Sequence, residues 1–320
     1  MLISVIVASR NRADLLKRAL QAIKSQTYQD VEVVVIDDGS DTLTRAAYPS
    51  LFVELDSRFR LIEVGTAGQR GQGPSASRNL GIKLAQGSIL AFCDDDDLWI
   101  DPTHLAAVAY LFSKQSDIDL CICNQRAVYV DGTVREQWLP SLSTLANATV
   151  LTERYRLVTV HDLSNAQGFA HLNMCCIRRA TVNAMGGFWE AVNYEEDRDF
   201  FWRCADAAKG IAYSANTVAQ HHVPDPAQQL TVSSATKQQE RWLVAAMVSR
   251  HIATTVQSQA IAKLSLRLEG DLLRRLALQC EHLGQRRACS LLANQALGAR
   301  FSIKWAVYCI WAWLKAVARP

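Results

Sequence analysis

The chain has 320 residues, 49% hydrophobic and 20% charged, with seven prolines and no low-complexity tract, so it can bury one large domain and an appendage. Its net charge of +3 is unevenly spread: from Lys237 to the end thirteen Lys and Arg face four Asp and Glu, and this last quarter should seek an anionic partner. The nine cysteines are scattered, and the close pairs Cys121-x-Cys123 and Cys175-Cys176 lack the spacing of a zinc site, which leaves reduced, mostly buried thiols of a cytosolic protein.

Residues 1–8 are apolar, but too short for a signal sequence and followed at once by Arg10 and Arg12. They predict a strand at 3–7. Residues 12–26 carry Leu15, Leu16, Ala19, Leu20 and Ile23 at amphipathic-helix spacing. A second, nearly all-apolar strand at 31–36 runs into Asp37-Asp38-Gly39-Ser40, and a third is expected at 60–64. The Gly-rich stretch 65–74 lacks both the Gly-Lys-Ser/Thr ending of a P-loop and a G-x-G-x-x-G pattern, so it reads as a loop. A helix at 75–86 then leads to a short buried strand, 88–93. This βαβ series predicts a parallel sheet with helices on both faces.

That buried strand ends in Asp94-Asp95-Asp96-Asp97, closed by Leu98-Trp99 and Pro102. Ligands bind beyond the carboxyl ends of strands in such sheets, so these acids sit where a site would be. Four adjacent carboxylates repel one another and need either water or a cation, and a hard divalent ion suits oxygen ligands. Further on, a helix is expected at 104–112, a strand at 120–130 turning through Asp131-Gly132, and another strand at 170–179 before a helix that ends at Gly186-Gly187. Residues 135–165 carry no clear pattern. A second acidic cluster, Glu195-Glu196-Asp197-Arg198-Asp199, opens a helix, whose backbone amides can orient carboxylates.

From residue 235 the pattern is helical to the end. In 301–318, Trp305, Tyr308, Trp311 and Trp313 lie between Lys304 and Lys315, which only ten uncharged residues separate, whereas a spanning helix needs about 20 apolar residues. The segment is either a basic, aromatic helix for a membrane interface or a terminal helix docked on the protein itself.

In combination, Ser4-Val-Ile-Val-Ala-Ser-Arg-Asn-Arg12, Val35-Ile-Asp-Asp-Gly-Ser40, Gly73-Pro-Ser-Ala-Ser-Arg-Asn-Leu-Gly81, Phe92-Cys-Asp-Asp-Asp-Asp-Leu-Trp99, Gly186-Gly-Phe188 and Glu196-Asp-Arg-Asp199 resemble the motifs of family 2 glycosyltransferases, in order and at about their spacing. The resemblance covers residues 1–225. It implies a GT-A fold: an α/β domain with a mainly parallel Rossmann-like sheet flanked by helices, here with a C-terminal helical extension. Residues 1–230 would form the catalytic domain, with nucleotide-sugar binding in about 1–100 and acceptor binding in about 101–230; 231–320 would form the basic helical region. It further implies inverting transfer of one sugar from a nucleotide-diphosphate sugar, UDP first among donors, to a saccharide or lipid-diphosphate-linked acceptor in surface polysaccharide or lipopolysaccharide synthesis.

By the same resemblance Ser9, Arg10, Asp38, Gly73, Arg78, Asp94 and Asp95 contact the nucleotide sugar. Asp94 and Asp96 form the Asp-x-Asp pair, which with His222 or its neighbour His221 holds Mn2+ or Mg2+, and Asp197 is the general base with Glu196 beside it. The chemistry agrees: one carboxylate must deprotonate the attacking hydroxyl, while a separate carboxylate cluster holds the cation that neutralises the departing diphosphate. There are departures. Ala8-Ser9-Arg10-Asn11 lacks the aromatic residue that commonly stacks on the base, although an Arg can also stack there, and Arg198 stands where an aromatic is usual. Gln239-Glu240-Arg241-Trp242 is one residue short of the processive Gln-x-x-Arg-Trp motif, so single-sugar addition is expected. Two alternatives remain at this point: nucleotidyl transfer, disfavoured by the lack of a basic Gly-rich signature after the first strand, and a non-catalytic nucleotide- or carbohydrate-binding scaffold. The expected location is cytoplasmic, peripheral on the inner membrane face through the C-terminal helix, with no nucleic-acid partner.

Overall fold

The structure, a computed structural model, describes residues 1–69, 71–145, 148–166, 168–223 and 237–317. The chain divides into two compact units, Met1–Asp225 and Pro226–Pro320. The expected boundary at 230/231, the helical onset at 235 and the last residue of the 301–318 segment lie outside the described residues.

The first unit is built on β1 (Ile3–Ser9) and β2 (Val31–Asp38), whose residues are almost all buried, as strands covered on both faces must be. β1 pairs in parallel with β2 and with β4 (Ile89–Phe92), and β2 pairs in parallel with β3 (Phe59–Val64). The crossovers are α1 (Ala13–Lys24), α2 (Thr42–Val53) and α3 (Pro74–Leu84). α1 buries Leu16, Ala19, Leu20 and Ile23, four of the five apolar positions read from the periodicity. α2 had no clear sequence signal, because Pro49 lies inside it. Its start is fixed by Asp41, whose side chain accepts from Thr44 N at 2.7 Å. Pro74 opens α3, where a missing N–H costs nothing.

Beyond β4 the sheet becomes mixed, in the order β3-β2-β1-β4-β9-β6-β10-β5. β9 (Cys175–Arg178) runs antiparallel between β4 and β6 (Leu120–Val128), and β10 (Ile211–His222) lies parallel to β6. β5 (Leu98–Trp99) adds antiparallel to β10. The strand expected at 170–179 is therefore shorter: Leu172–Met174 forms a 3-10 turn, and only Cys175–Arg178 joins the sheet. The turn expected at Asp131-Gly132 does form a hairpin to β7 (Val134–Arg135), with Gly132 at φ +82°. In the region without a pattern lie α5 (Pro140–Ser143), β8 (Arg156–Val158), which joins β10, and α6 (Val160–Asn165). α7 (Arg179–Ala184) stops before Gly186 and Gly187, both at positive φ, and α8 (Glu196–Ala207) follows. One core layer joins Val5, Val7, Leu16, Leu20, Val33 and Val35 to Leu105 and Val108 of α4 (His104–Lys114). Each such fully buried Val or Leu contributes roughly 1.5–3 kcal/mol. All nine cysteines are unpaired thiols, eight of them buried.

The second unit is helical: α9 (Gln238–Thr255), α10 (Gln259–His282), α11 (Arg286–Ala299) and α12 (Ile303–Val317). Its core is made of small side chains and leucines, among them Ala245, Leu272, Leu276, Ala293 and Ala296. α12 docks one face on this core: Trp305 Nε1 donates to Ala293 O at 2.9 Å, and Tyr308 donates to Glu281 Oε2 at 2.7 Å. No helix among the described residues is long and apolar enough to cross a membrane.

Candidate functional site

The carboxyl ends of β1, β2 and β4 meet at one edge of the sheet, and the four consecutive acids leave β4 there. Their side chains alternate. Asp94 and Asp96 are 33% and 23% exposed, whereas Asp95 and Asp97 are 5% and 1% exposed. Each inward carboxylate has built-in partners. Asp95 accepts from Ser9 Oγ at 2.7 Å and from Arg12 Nη1 at 2.8 Å. Asp97 accepts from Asn173 Nδ2 at 2.6 Å and from His222 N at 3.0 Å, and its Oδ1 lies 3.0 Å from His221 Nδ1. Burial pushes the Asp95 carboxyl up to about 6, against the pull of Arg12. Burial lowers His221, but Asp97 more than offsets this and the imidazole rises to about 9, while burial raises the Asp97 carboxyl to about 7 against the pull of His221.

The second acidic cluster is brought to the first by one side chain. Arg78, on α3, donates through Nη2 to Asp94 Oδ1 at 2.7 Å and through Nη1 to Glu196 Oε1 at 2.9 Å, with its guanidinium 5.5 Å from the Phe188 ring centroid. Burial opposes ionisation of Asp94, yet Arg78 overcomes this and holds the carboxyl below its usual range. Glu195, just before α8, sits at φ +64°, a left-handed conformation uncommon for a residue with a Cβ. That turn leaves Asp197 in the first turn of α8, where it accepts from Arg198 N at 2.8 Å. Burial, then the charges of Glu196 and Glu195, raise Asp197 to about 7. Asp199 faces inward and is held by Arg203 Nη2 at 2.6 Å, so it is structural.

At the end of β2, Asp37 is likewise spent internally, on Tyr48 and Arg45. Asp38 receives Gln72 N and Gly73 N, both at 2.8 Å, and so ties down the Gly-rich loop. Beside it lies a cavity of about 170 Å³ lined by Asp38, Gly39, Val64, Thr66 and Gln69. Arg10 reaches over to Gln69 O at 3.0 Å, at the rim of this cavity.

Of the residues singled out by sequence, Arg78, Asp94, Asp96, Glu196 and Asp197 converge, and Asp38 lines the neighbouring cavity, with Gly73 and Arg10 bonded to the lining residues Asp38 and Gln69. Ser9 and Asp95 are bonded to each other and buried, and in this arrangement they brace the loop. His222 directs both ring nitrogens inward, Nδ1 toward Asp96 O at 2.7 Å and Nε2 toward Gln220 Nε2 at 2.8 Å, and so braces the acidic turn. Sequence reasoning missed Arg12, Asp97 and Asn173 as parts of the site. Arg12 was visible as the second cation after β1; Asn173 had no signal at all.

Among the described residues no three His, Cys, Asp or Glu side chains are arranged to hold a metal ion by themselves. The outward pair Asp94 and Asp96 nevertheless supplies part-exposed carboxylate oxygens, which fit a hard divalent cation that completes its shell with phosphate oxygens and water.

The pattern of Glycosyl transferase family 2 matches residues 4–179. EpsH of Bacillus subtilis is 33% identical over 132 residues, 40% of this chain and 35% of its own length. The glycosyltransferase GlyG of Streptococcus pneumoniae is 31% identical over 123 residues, 38% of each chain. The matched stretch thus spans little more than a third of either relative. Among solved structures, S. aureus TarS 1-349 in complex with UDP-GlcNAc superimposes with a TM-score of 0.70 at 18% identity, covering 99% of this chain and 89% of that one. The mannosyltransferase PcManGT from Pyrobaculum calidifontis, in complex with GDP-Man and Mn2+, gives 0.56 at 19% identity, covering 99% and 85%. At such identities the likeness is one of fold.

Proposed function

The chain belongs to glycosyl transferase family 2 and has the GT-A fold, and from that premise we propose that it is an inverting glycosyltransferase, moving one sugar from a nucleotide-diphosphate sugar to a saccharide or lipid-linked acceptor. The observation that carries this reading is Arg78, which joins Asp94 of the first acidic cluster to Glu196, the neighbour of Asp197, in the second. Donor-side and acceptor-side carboxylates thereby become one site, as inverting transfer demands. Asp197, with its pKa raised to about 7, is suited to take the proton of the attacking hydroxyl near neutral pH. Arg78 keeps Asp94 ionised and Glu196 in place, and the Ser9–Asp95–Arg12 and His221–Asp97 contacts hold the acidic turn rigid.

Asp94 and Asp96 would hold Mn2+ or Mg2+ together with the donor diphosphate; when bound, the cation neutralises charge gathering on the leaving group. The cavity between Asp38 and Gln69 is the place for the nucleobase, with Asp38 accepting from a base N–H and Arg10 covering the ring. UDP is the first candidate, supported by the UDP-GlcNAc bound by TarS; GDP is the second, from the mannosyltransferase. Synthesis of a surface polysaccharide or lipopolysaccharide is the process this would serve.

The test is a donor screen. Purified protein with Mn2+ or Mg2+ is challenged with UDP-, GDP- and dTDP-sugars, and thermal shift and slow donor hydrolysis are recorded. A metal-dependent shift with one nucleotide, abolished by Asp96→Ala, supports the reading. Folded protein that responds to no donor contradicts it.

A further inference from the structure

One face of α12 is covered by the second unit's core; the other is not. Ile303, Val307, Ile310, Leu314 and Val317 follow one another at steps of four and three residues, which places them in one stripe along the helix, and all are between 54% and 76% exposed. Trp313 widens the stripe on one side, and Phe301 precedes it, both more than half exposed. Fifteen residues make a helix about 22 Å long, so an apolar strip of that length lies open to solvent. Isolated exposed apolar residues are ordinary, but a contiguous strip of this kind marks a binding face.

The rim of the strip says what covers it. Lys304 and Lys315 flank it on the side of Trp311, and Lys315 Nζ lies 3.6 Å from the Trp311 ring centroid. At its end Leu291 of α11 and Val317 line an open groove of about 450 Å³, together with Arg287. Between Phe301 and Val317 there is no Asp or Glu. Two copies paired along this face would set lysine against lysine, and Glu281 beside them is already engaged by Tyr308 and Lys315 of its own chain. An anionic, partly apolar surface answers both the charge and the strip.

We propose that α12 lies in the plane of an anionic lipid bilayer, with the Ile303–Val317 stripe in the acyl boundary and Arg287, Lys304 and Lys315 on the headgroups. Tyr308 and Trp305 turn toward the helical core, and the lipid face centres on Ile310 and Leu314. The inference is independent of the transferase reading, since it concerns binding and not turnover.

The experiment is flotation of the full chain with vesicles of phosphatidylcholine alone and of phosphatidylcholine with 30% phosphatidylglycerol, alongside sedimentation velocity without lipid. Wild type should float with the anionic vesicles at least tenfold better than with the neutral ones, and 0.5 M salt should weaken this binding. Ile310→Glu with Leu314→Glu should abolish it, and Arg287→Gln with Lys304→Gln should weaken it, both leaving the melting temperature within a few degrees because the positions are exposed. Absence of flotation, equal flotation on both vesicles, or flotation untouched by either double variant overturns the proposal. A lipid-independent dimer dissolved by Leu314→Glu, without flotation, would assign the stripe to a second copy and overturn it as well.

Discussion

The guanidinium of Arg12 donates to the carboxylate of Asp96 at 3.1 Å, across eighty-four residues of sequence, while the same nitrogen reaches Asp95 Oδ1 at 2.8 Å. A fixed cation thus stands at the outward carboxylate proposed to receive a divalent ion. Replacing Arg12 by Gln removes the positive charge from a turn of four acids. Loss of one partner of a half-buried charge pair destabilises by about 1–3 kcal/mol. The variant should therefore melt lower than wild type at pH 7.5, and Mn2+ should raise its melting temperature more than it raises that of wild type. Calorimetry with and without Mn2+ checks this, and an equal metal response in both proteins would show that Arg12 and the ion do not share Asp96.

Arg78 makes two charged contacts from one side chain, so Lys cannot replace it: a single ammonium has no fork to span Asp94 and Glu196. Arg78→Lys should lose at least a hundredfold in turnover, because Asp94 and Glu196 are no longer held in register. Arg78→Ala should in addition cost about 3–5 kcal/mol of stability, as two carboxylates are left near one another without a counter-charge. Denaturant melts and donor-hydrolysis rates separate the two losses; full activity in the lysine variant would mean that the bridge is not needed for catalysis.

Much of this was legible in the sequence, for reasons visible in individual residues. The buried run of β4 and the acids after it announce themselves because apolarity stops at Cys93 and charge begins at Asp94. The spacing of Leu16, Ala19, Leu20 and Ile23 gives α1 by periodicity alone. α2 was hidden by Pro49, and β10 by a mixed burial pattern that ends in Gln and His, neither of which reads as strand. The division of four identical acids into an outward and an inward pair is a property of the turn they form and of partners far away in sequence, such as Asn173 and His221, so no local pattern could separate them.

Asp197 supplies the pH dependence. Its carboxyl is raised to about 7, first by burial and then by Glu196 and Glu195. The ionised form is the base, so kcat should climb with pH and level off above about 7, with the acid limb set by this group. The stability sign is opposite. Between the ordinary value of 3.8 and about 7 the folded state binds more protons at this carboxyl than the unfolded one, so its contribution to stability falls as pH rises through that window. Asp197→Asn should abolish turnover, keep donor binding, and flatten that part of the stability profile. A variant that retains turnover would remove Asp197 as the base.

Gly73 directly follows Gly71 and Gln72 of the cavity wall and tests the geometry most sharply. Its φ is +100°, and a Cβ there would stand 2.1 Å from Asn193 Oδ1, so Ala meets both a backbone conformation closed to it and a neighbouring side chain. Gly73 N also donates to Asp38 at 2.8 Å, and Gly73 leads directly into Pro74 of α3, the helix that carries Arg78. A shift at residue 73 therefore moves the cavity wall and the bridging arginine together. Gly73→Ala should weaken UDP binding by about tenfold or more and lower stability by about 1–3 kcal/mol. Adding Asn193→Ala relieves the contact but not the backbone strain, so the double variant should recover part of the stability and little of the binding. Titration calorimetry with UDP, together with thermal melts of the single and double variants, measures both quantities. Full recovery of binding in the double variant would show that the contact with Asn193, and not the left-handed turn, is what the glycine serves.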